Sequence, residues 1–331
     1  MPLIRDGQTG QIRTEGGDHF AGWIPHELRT RDERDIHDAL VGAMPTFQIL
    51  YGAGESSPDV KKADLTVFTR RANGGKHFRN LNQRDVGACV GHAKAGCCWT
   101  VQAVEAYKLG DLEEIVMPYE PYGYAQMRVC AGIGGRSDGG TGSGAAEAAK
   151  KFGILDSRLP GLPKFKVTED EVDFLQNTDR SWGIRGAPGE WIEQGVKHPI
   201  QTAAQCRSTA QAIEALKNGY PILDASNWGG HMDCPVAGGK EFPVRLNRRQ
   251  RDWNHSQYVN AWWDHPELGN IFRRQNSWGV TAHGEPPDDS PRGSYWIQEH
   301  DMAYIFGGGD CYILSGAAGF PSAPPNWYMG A

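Results

Sequence analysis

Beyond the segment "STAQAIEALKNG" the chain changes character. "YPILDAS", "HSQYVNAWWD", "NIFRRQNSW" and "GSYWIQ" are short runs rich in β-branched and aromatic residues, separated by turn-forming ones. They predict β-strands. Upstream, Val90, Ala93, Cys97, Val101 and Val104 recur at steps of three and four between Cys89 and Gly110. That spacing predicts one helix with a single apolar stripe, ending at the glycine. "RTRDERDIHDALVGAM" and "STAQAIEALKNG" also read as helices, the first with its acids and arginines on a solvated face. A helical first half followed by a strand-rich second half predicts an α+β fold with two lobes.

The 331 residues suffice for one large domain or two medium ones. With 34 basic and 40 acidic residues the net charge is −6 and no basic block stands out. That argues against nucleic acid as a partner. No run approaches a membrane span, and the start "MPLIRDGQTGQIRTEGG" has no apolar segment of the signal-peptide kind. Seven cysteines, two of them adjacent, make a disulfide framework a poor reading and a reducing compartment the simpler one. The expected location is the cytoplasm or, since phage proteins leave a cell without a signal peptide, a virion. Six of the eleven tryptophans fall between 228 and 296, which suggests sheet packing and a substrate cleft in that half.

Residues 1–75 read as an N-terminal extension that covers a cleft, packs on the outside or binds a protein partner. Its segment "GAGESSPDVKKAD" reads as an exposed linker, with a processing site as the functional alternative. "CAGIGGRSDGGTGSGAAEAAKKFGI" is a glycine-rich loop feeding a helix. It lacks the Gly-Lys-Ser/Thr ending of a phosphate loop, so a loop beside a cleft is the better reading. Residues 317–331 form a Pro-rich tail with Trp327 and Tyr328 available as an anchor.

Three cysteines crowd into "LNQRDVGACVGHAKAGCCW". Cys89 opens the predicted helix, where unpaired N–H groups and the helix dipole favour a thiolate. Cys97 lies in the apolar stripe, as a small core side chain would. Cys98 is mid-helix, about 100° off the stripe and away from the helix-end N–H groups. A thiolate nucleophile needs a base and a group to orient that base. His255 in "DWNHSQYV" and Asn276 in "RRQNSWG" are 21 residues apart, enough for two neighbouring antiparallel strands and their loop. An imidazolium beside a thiolate keeps both charged, and an asparagine amide fixes the ring.

At these residues the chain resembles the papain-like cysteine proteases, in their bacterial or phage-type form. "NQRDVGACVGHA" resembles the family's nucleophile segment, with Gln83 six residues before Cys89, and "QNSWG" matches its asparagine segment. "STAQAIEALKNGYPILDAS" and "GSYWIQEHDMAYIFGGGDCYIL" resemble the elements before the histidine and at the end of the fold, so the likeness spans about residues 76–316. The resemblance implies a helical lobe carrying Cys89, a β-rich lobe carrying His255 and Asn276, and a cleft between them. It implies Cys89 as nucleophile, His255 as base, Asn276 as orienter and Gln83 as oxyanion donor beside the Cys89 N–H. Trp278 would shield the His–Asn hydrogen bond, and Gly139 and Gly140 would form the substrate-binding cleft wall. The substrate would be a peptide or protein, and no cofactor is required.

The departures are local. Val86 stands where secreted members have a cysteine, and Val90 where an aromatic usually follows the nucleophile. The 166 residues from Cys89 to His255 exceed the family's usual spacing, which an insertion around "DCPVAGGKEFPVRLNRRQRDW" accounts for. "GCCW" offers Cys98 as a rival nucleophile, but His92 rather than a glutamine precedes it by six. "GHMDCP" groups His231, Asp233 and Cys234, all of metal-binding type, without a second ligand pair at metal spacing, so a loop is expected there. The alternative to an active hydrolase is a silent papain-like fold serving as a structural or host-interaction part of an assembly such as a phage particle.

Overall fold

The computed structural model describes residues 3–5, 12–14, 22–48, 60–110, 115–135, 138–168, 171–173, 176–322, 324, 325 and 327. Its axis is the helix Cys89–Leu109, 21 residues closed by Gly110 in the left-handed region at φ 76°. The stripe is there, but the helix is buried on nearly every face, because it runs between two lobes rather than over a surface. Gly96 is what lets it meet the sheet. A Cβ at this position would stand 2.2 Å from the Tyr258 ring, so any larger residue would push helix and sheet apart.

On one side, the helices Glu120–Cys130 and Gly142–Lys151 pack with the central helix into a helical lobe. Thr141 caps the second of these, accepting from Gly144 N at 3.0 Å. On the other side stands an antiparallel sheet of seven strands among the described residues. Its order runs Ser294–Gln298, Gly269–Gln275, Arg251–His265, Ile222–Gly229, Tyr312–Ser315, Thr202–Gln205. Lys62–Asp64 adds to the long strand at Ala261–Trp263. Trp228, Trp262, Phe272, Tyr295 and Phe306 form the core of this lobe. A second apolar cluster joins Val90, Ala93, Cys97 and Val101 of the helix to Leu223, Ala225, Tyr258 and Tyr312 of the sheet. The α+β, two-lobed architecture expected from the pattern is the one observed.

Each of the four strand-like runs contains a strand, the third ending at Gln275 just before Asn276, and "STAQAIEALKNG" becomes the helix Thr209–Lys217, capped by Ser208. "RTRDERD" differs from expectation. Its helix Arg31–Ala43 starts with a Thr30–Glu33 capping box, but Arg29 just before it is buried and paired with Asp310 rather than solvated. Part of the expected extension also belongs to the folded body. Ala63 and Leu65 are fully buried, and Asp64 accepts from Arg273 Nη1 at 2.8 Å. The helix Thr66–Ala72 packs on the central helix. Of "GAGESSPDVKKAD", residues 52–59 lie outside the described residues.

At the other end Phe320 packs edge-on to Phe47 and Tyr220, with ring centroids 4.9 and 5.3 Å apart. Trp327 is an anchor, as expected, donating to Lys217 O at 3.0 Å, while Tyr328 lies outside the described residues. All seven cysteines are free thiols. Among the described residues no helix is long and apolar enough to cross a membrane.

Candidate active site

Cys89 is the first residue of the central helix, and Ala88 before it makes no side-chain cap. The first-turn N–H groups are therefore left to whatever lies at that end. Tight turns bring the preceding residues back onto it. Arg84 adopts φ 49°, its N–H held by Asn82 Oδ1 at 3.0 Å, and Val86 N–H donates to Gln83 O at 3.2 Å. Gln83 is buried and fixed at both ends of its amide. Nε2 donates to Val86 O at 2.9 Å and Oε1 accepts from Ser277 Oγ at 2.7 Å.

The long strand delivers the base. Between Asp252 and His255 its register against Ile222–Gly229 shifts, a bulge that takes Asn254 out of the ladder and turns its carbonyl elsewhere. Ser256 N–H, one residue past His255, donates to Cys89 Sγ at 3.3 Å, so strand and helix start meet at this point. Asn276 directly follows the neighbouring strand Gly269–Gln275, and its Oδ1 lies 2.7 Å from His255 Nε2. The expectation of two adjacent antiparallel strands holds. Trp278 stacks on the His255 ring, centroids 4.4 Å apart at 27°. Among the described residues His255 Nδ1 has no hydrogen-bond partner.

The chain's own N-terminal segment lies across this pair. Gly22 and Trp23 N–H both donate to Asn254 O at 3.2 Å. On the opposite wall Gly140 N–H donates to Gly22 O and Ile24 N–H donates to Gly140 O, each at 2.9 Å. The segment thus crosses between the two lobes with its backbone bonded to both, through a single parallel bridge at Trp23 and Gly140. Gly140 stands where the sequence places the cleft wall, and Gly139 beside it adopts φ 107°. Asp310 anchors the strap: its carboxylate accepts from Gly142 and Ser143 N–H at 2.7 and 2.9 Å, and from Arg29 and the Trp23 indole at 3.4 Å.

Burial sets the protonation states. With the strap in place Cys89 and His255 are essentially inaccessible. Desolvation pushes the Cys89 thiol up to about 12, partly offset by the Ser256 N–H. It pulls His255 down to about 3, against the Asn276 hydrogen bond. The covered pair is a neutral thiol and a neutral imidazole.

Of the expected residues, Cys89, His255, Asn276, Trp278, Gln83 and Gly140 all border this one region. Cys98, the rival, is buried mid-helix, its thiol pushed up to about 11 by desolvation, and its backbone carbonyl accepts from Gln102. Asp233 of "GHMDCP" is 3.7 Å from Arg245 and Cys234 is buried. Among the described residues no three metal-type side chains converge. A cleft-covering extension is one of the open readings of residues 1–75, but the sequence does not point to Gly22–Ile24 as the strap, to its Arg29–Asp310 anchor or to the Ser256 N–H, since backbone donors and pairings 281 residues apart leave no local signal.

Comparison with solved structures bears on the architecture that carries these residues. Xylellain, a cysteine protease from Xylella fastidiosa, superposes with a TM-score of 0.58 at 14% identity, covering 90% of this chain and 96% of that one. The proform of Amb a 11, a ragweed pollen cysteine protease, gives 0.54 at 14% identity over 91% and 76% of the two chains. Procathepsin L 3 of Tenebrio molitor gives 0.50 at 13% identity over 91% and 84%. Comparison with protein-family models and with curated protein sequences gives no match. At such low identities the likeness is one of architecture, and the chain has the two-lobed papain-like fold.

Proposed function

We propose that the chain is a papain-like thiol hydrolase of peptide or similar amide bonds, and that the form described here is its covered, latent state. The observation that carries this reading is the hydrogen bond from His255 to Asn276 on the strand that meets Cys89 at the open start of its helix. Once the strap is displaced, water returns and the burial that keeps both groups neutral is relieved. His255 Nδ1 then takes the Cys89 proton, and the sulfur attacks the substrate carbonyl carbon.

Charge develops on the carbonyl oxygen, beside the Cys89 N–H and the Gln83 Nε2 hydrogen not used by Val86. The imidazolium returns its proton to the leaving amine, giving a thioester and a free amine. Water then adds to the thioester, giving up its proton to His255, and a carboxylic acid leaves as the thiol is restored. Gly140, which pairs with an extended backbone in the strap, is suited to pair with an extended substrate peptide in its place. The reading needs a peptide or protein substrate and no cofactor.

A second reading keeps the fold as a silent component of an assembly. It is favoured by the filled cleft and the neutral pair. Cleavage of a mixed peptide library by the full chain and by Gly22→Val, with Cys89→Ala as control, separates the two. The hydrolase reading expects cleavage by Gly22→Val that Cys89→Ala abolishes in the same background. No cleavage by either chain, with Cys89 unreactive in both, favours the silent fold.

A further inference from the structure

We propose that His283 is a positioning residue of this site, fixing which way the Asn276 amide faces and thereby which nitrogen of His255 carries the proton. The inference rests on the thiol-hydrolase reading for its purpose, but its geometry stands by itself. Asn276 Nδ2 lies 2.7 Å from His283 Nε2, and His283 Nδ1 lies 3.2 Å from His231 O. A carbonyl oxygen can only accept, so His283 Nδ1 carries the hydrogen and Nε2 presents a lone pair. The Asn276 atom facing that lone pair must be the NH2 donor. Its Oδ1 therefore faces His255, whose Nε2 must donate, and Nδ1 is left bare to take the thiol proton. Ser277 N–H, donating to the same Oδ1 at 2.7 Å, enforces the same orientation from the backbone. The direction of every hydrogen bond from the His231 carbonyl to the base is thus determined.

The surroundings of His283 are built for this. It is fully buried and adopts φ 69°, a region that a non-glycine residue occupies at a cost in free energy that its neighbours must offset. Those neighbours come from the loop expected at "GHMDCP". Met232 O accepts the His283 N–H at 2.8 Å, and Cys234 Sγ lies 3.7 Å from its Nδ1. The Tyr295 ring tilts against the imidazole at 4.4 Å, and Trp278, which stacks on His255, also stacks on His283 at 6.0 Å. Burial and the Arg274 charge both disfavour an imidazolium here and hold the group down to about 4, so Nε2 stays an acceptor at neutral pH. The "GHMDCP" loop thereby acquires a function. It grips the residue that orients the orienter.

The experiment is proton–nitrogen NMR of the full chain with 15N-labelled histidine rings, signals assigned by single His→Gln variants, at pH 7. The expected result is His283 with its hydrogen on Nδ1 and His255 with its hydrogen on Nε2. In His283→Phe, which keeps a ring but no acceptor, one orienting hydrogen bond is lost and the His255 tautomer ratio should fall by about tenfold. His283→Gln, which offers a carbonyl oxygen near the Nε2 position, should restore it. A proton on His283 Nε2 in the wild type, or an unchanged His255 ratio in folded His283→Phe, overturns the proposal. If His283→Phe does not fold, the wild-type tautomer alone decides. This readout needs no hydrolysis, so it can fail or succeed independently of the activity.

Discussion

Gly22 lies so close to Cys89 that a β-carbon built on it would stand 2.2 Å from the sulfur. No real side chain fits there, and the sulfur belongs to the first residue of a buried helix that cannot retreat. Gly22→Val is therefore expected to expel the strap rather than move the helix. Alkylation of Cys89 by a small electrophile should rise at least tenfold over the wild-type chain, read by peptide mass spectrometry. Equal rates in the two folded chains would mean that the strap does not cover the thiol in solution.

Arg29 ties the strap to Asp310 and also donates to Ile24 O at 3.0 Å. Asp310 keeps its two backbone donors from the helix Gly142–Lys151 without it. Arg29→Ala should loosen residues 22–29 and also raise Cys89 alkylation. Breaking a buried pair costs about 3–5 kcal/mol, so a fall in thermal midpoint accompanies it. A lower midpoint with alkylation unchanged would show that the pair stabilises the fold without governing access to the thiol.

Gln83 offers a test that separates binding of an oxyanion from reactivity of the thiol. In the uncovered enzyme Gln83→Ala should lower kcat for an amide substrate by about 10²–10³, the usual effect of one lost oxyanion donor. Alkylation by a halide, which builds no oxyanion, should change little. A parallel loss of both would assign Gln83 to the stability of the turn that Ser277 and Val86 hold.

Asp179, on the helix Gln176–Arg185, is buried, and among the described residues both its carboxylate oxygens are unpartnered. Desolvation first, and the Asp138 charge second, push it from 3.8 up to about 8. Its folded pKa exceeds its unfolded one, so the neutral form contributes fully below about pH 4. That contribution is lost as pH rises toward 8, at about 1.4 kcal/mol per unit. Denaturant titrations of the wild type and Asp179→Asn between pH 4 and 8 should diverge with that slope, the wild type losing more. Parallel curves would show that Asp179 is ionised in the fold.

What could be read ahead of the structure was what repeats or matches locally. The Cys89 helix announces itself through spacing and a terminal glycine, and the strands through their β-branched and aromatic runs. His255 and Asn276 could be paired because a ladder fixes partners once the strands are known. That Lys62–Asp64 joins the sheet was not legible, because it does so only through the far-off long strand and three residues carry no period. Arg29 looked solvated because its partner, Asp310, lies at the other end of the chain. His283 could not be told from the other histidines, since its role comes from a left-handed backbone and a carbonyl on a separate loop.

The central claim is that Cys89 is a nucleophile paired with His255 beneath a removable strap. The most direct measurement is alkylation at about pH 6 of the full chain, Gly22→Val, and Gly22→Val combined with His255→Ala, with every modified cysteine mapped. An ordinary thiol, with a pKa near 8.5, is almost wholly protonated there. The account predicts no reaction in the first, fast labelling confined to Cys89 in the second, and loss of that labelling in the third. Labelling at Cys98 instead, or fast labelling of Cys89 that survives His255→Ala, would contradict it.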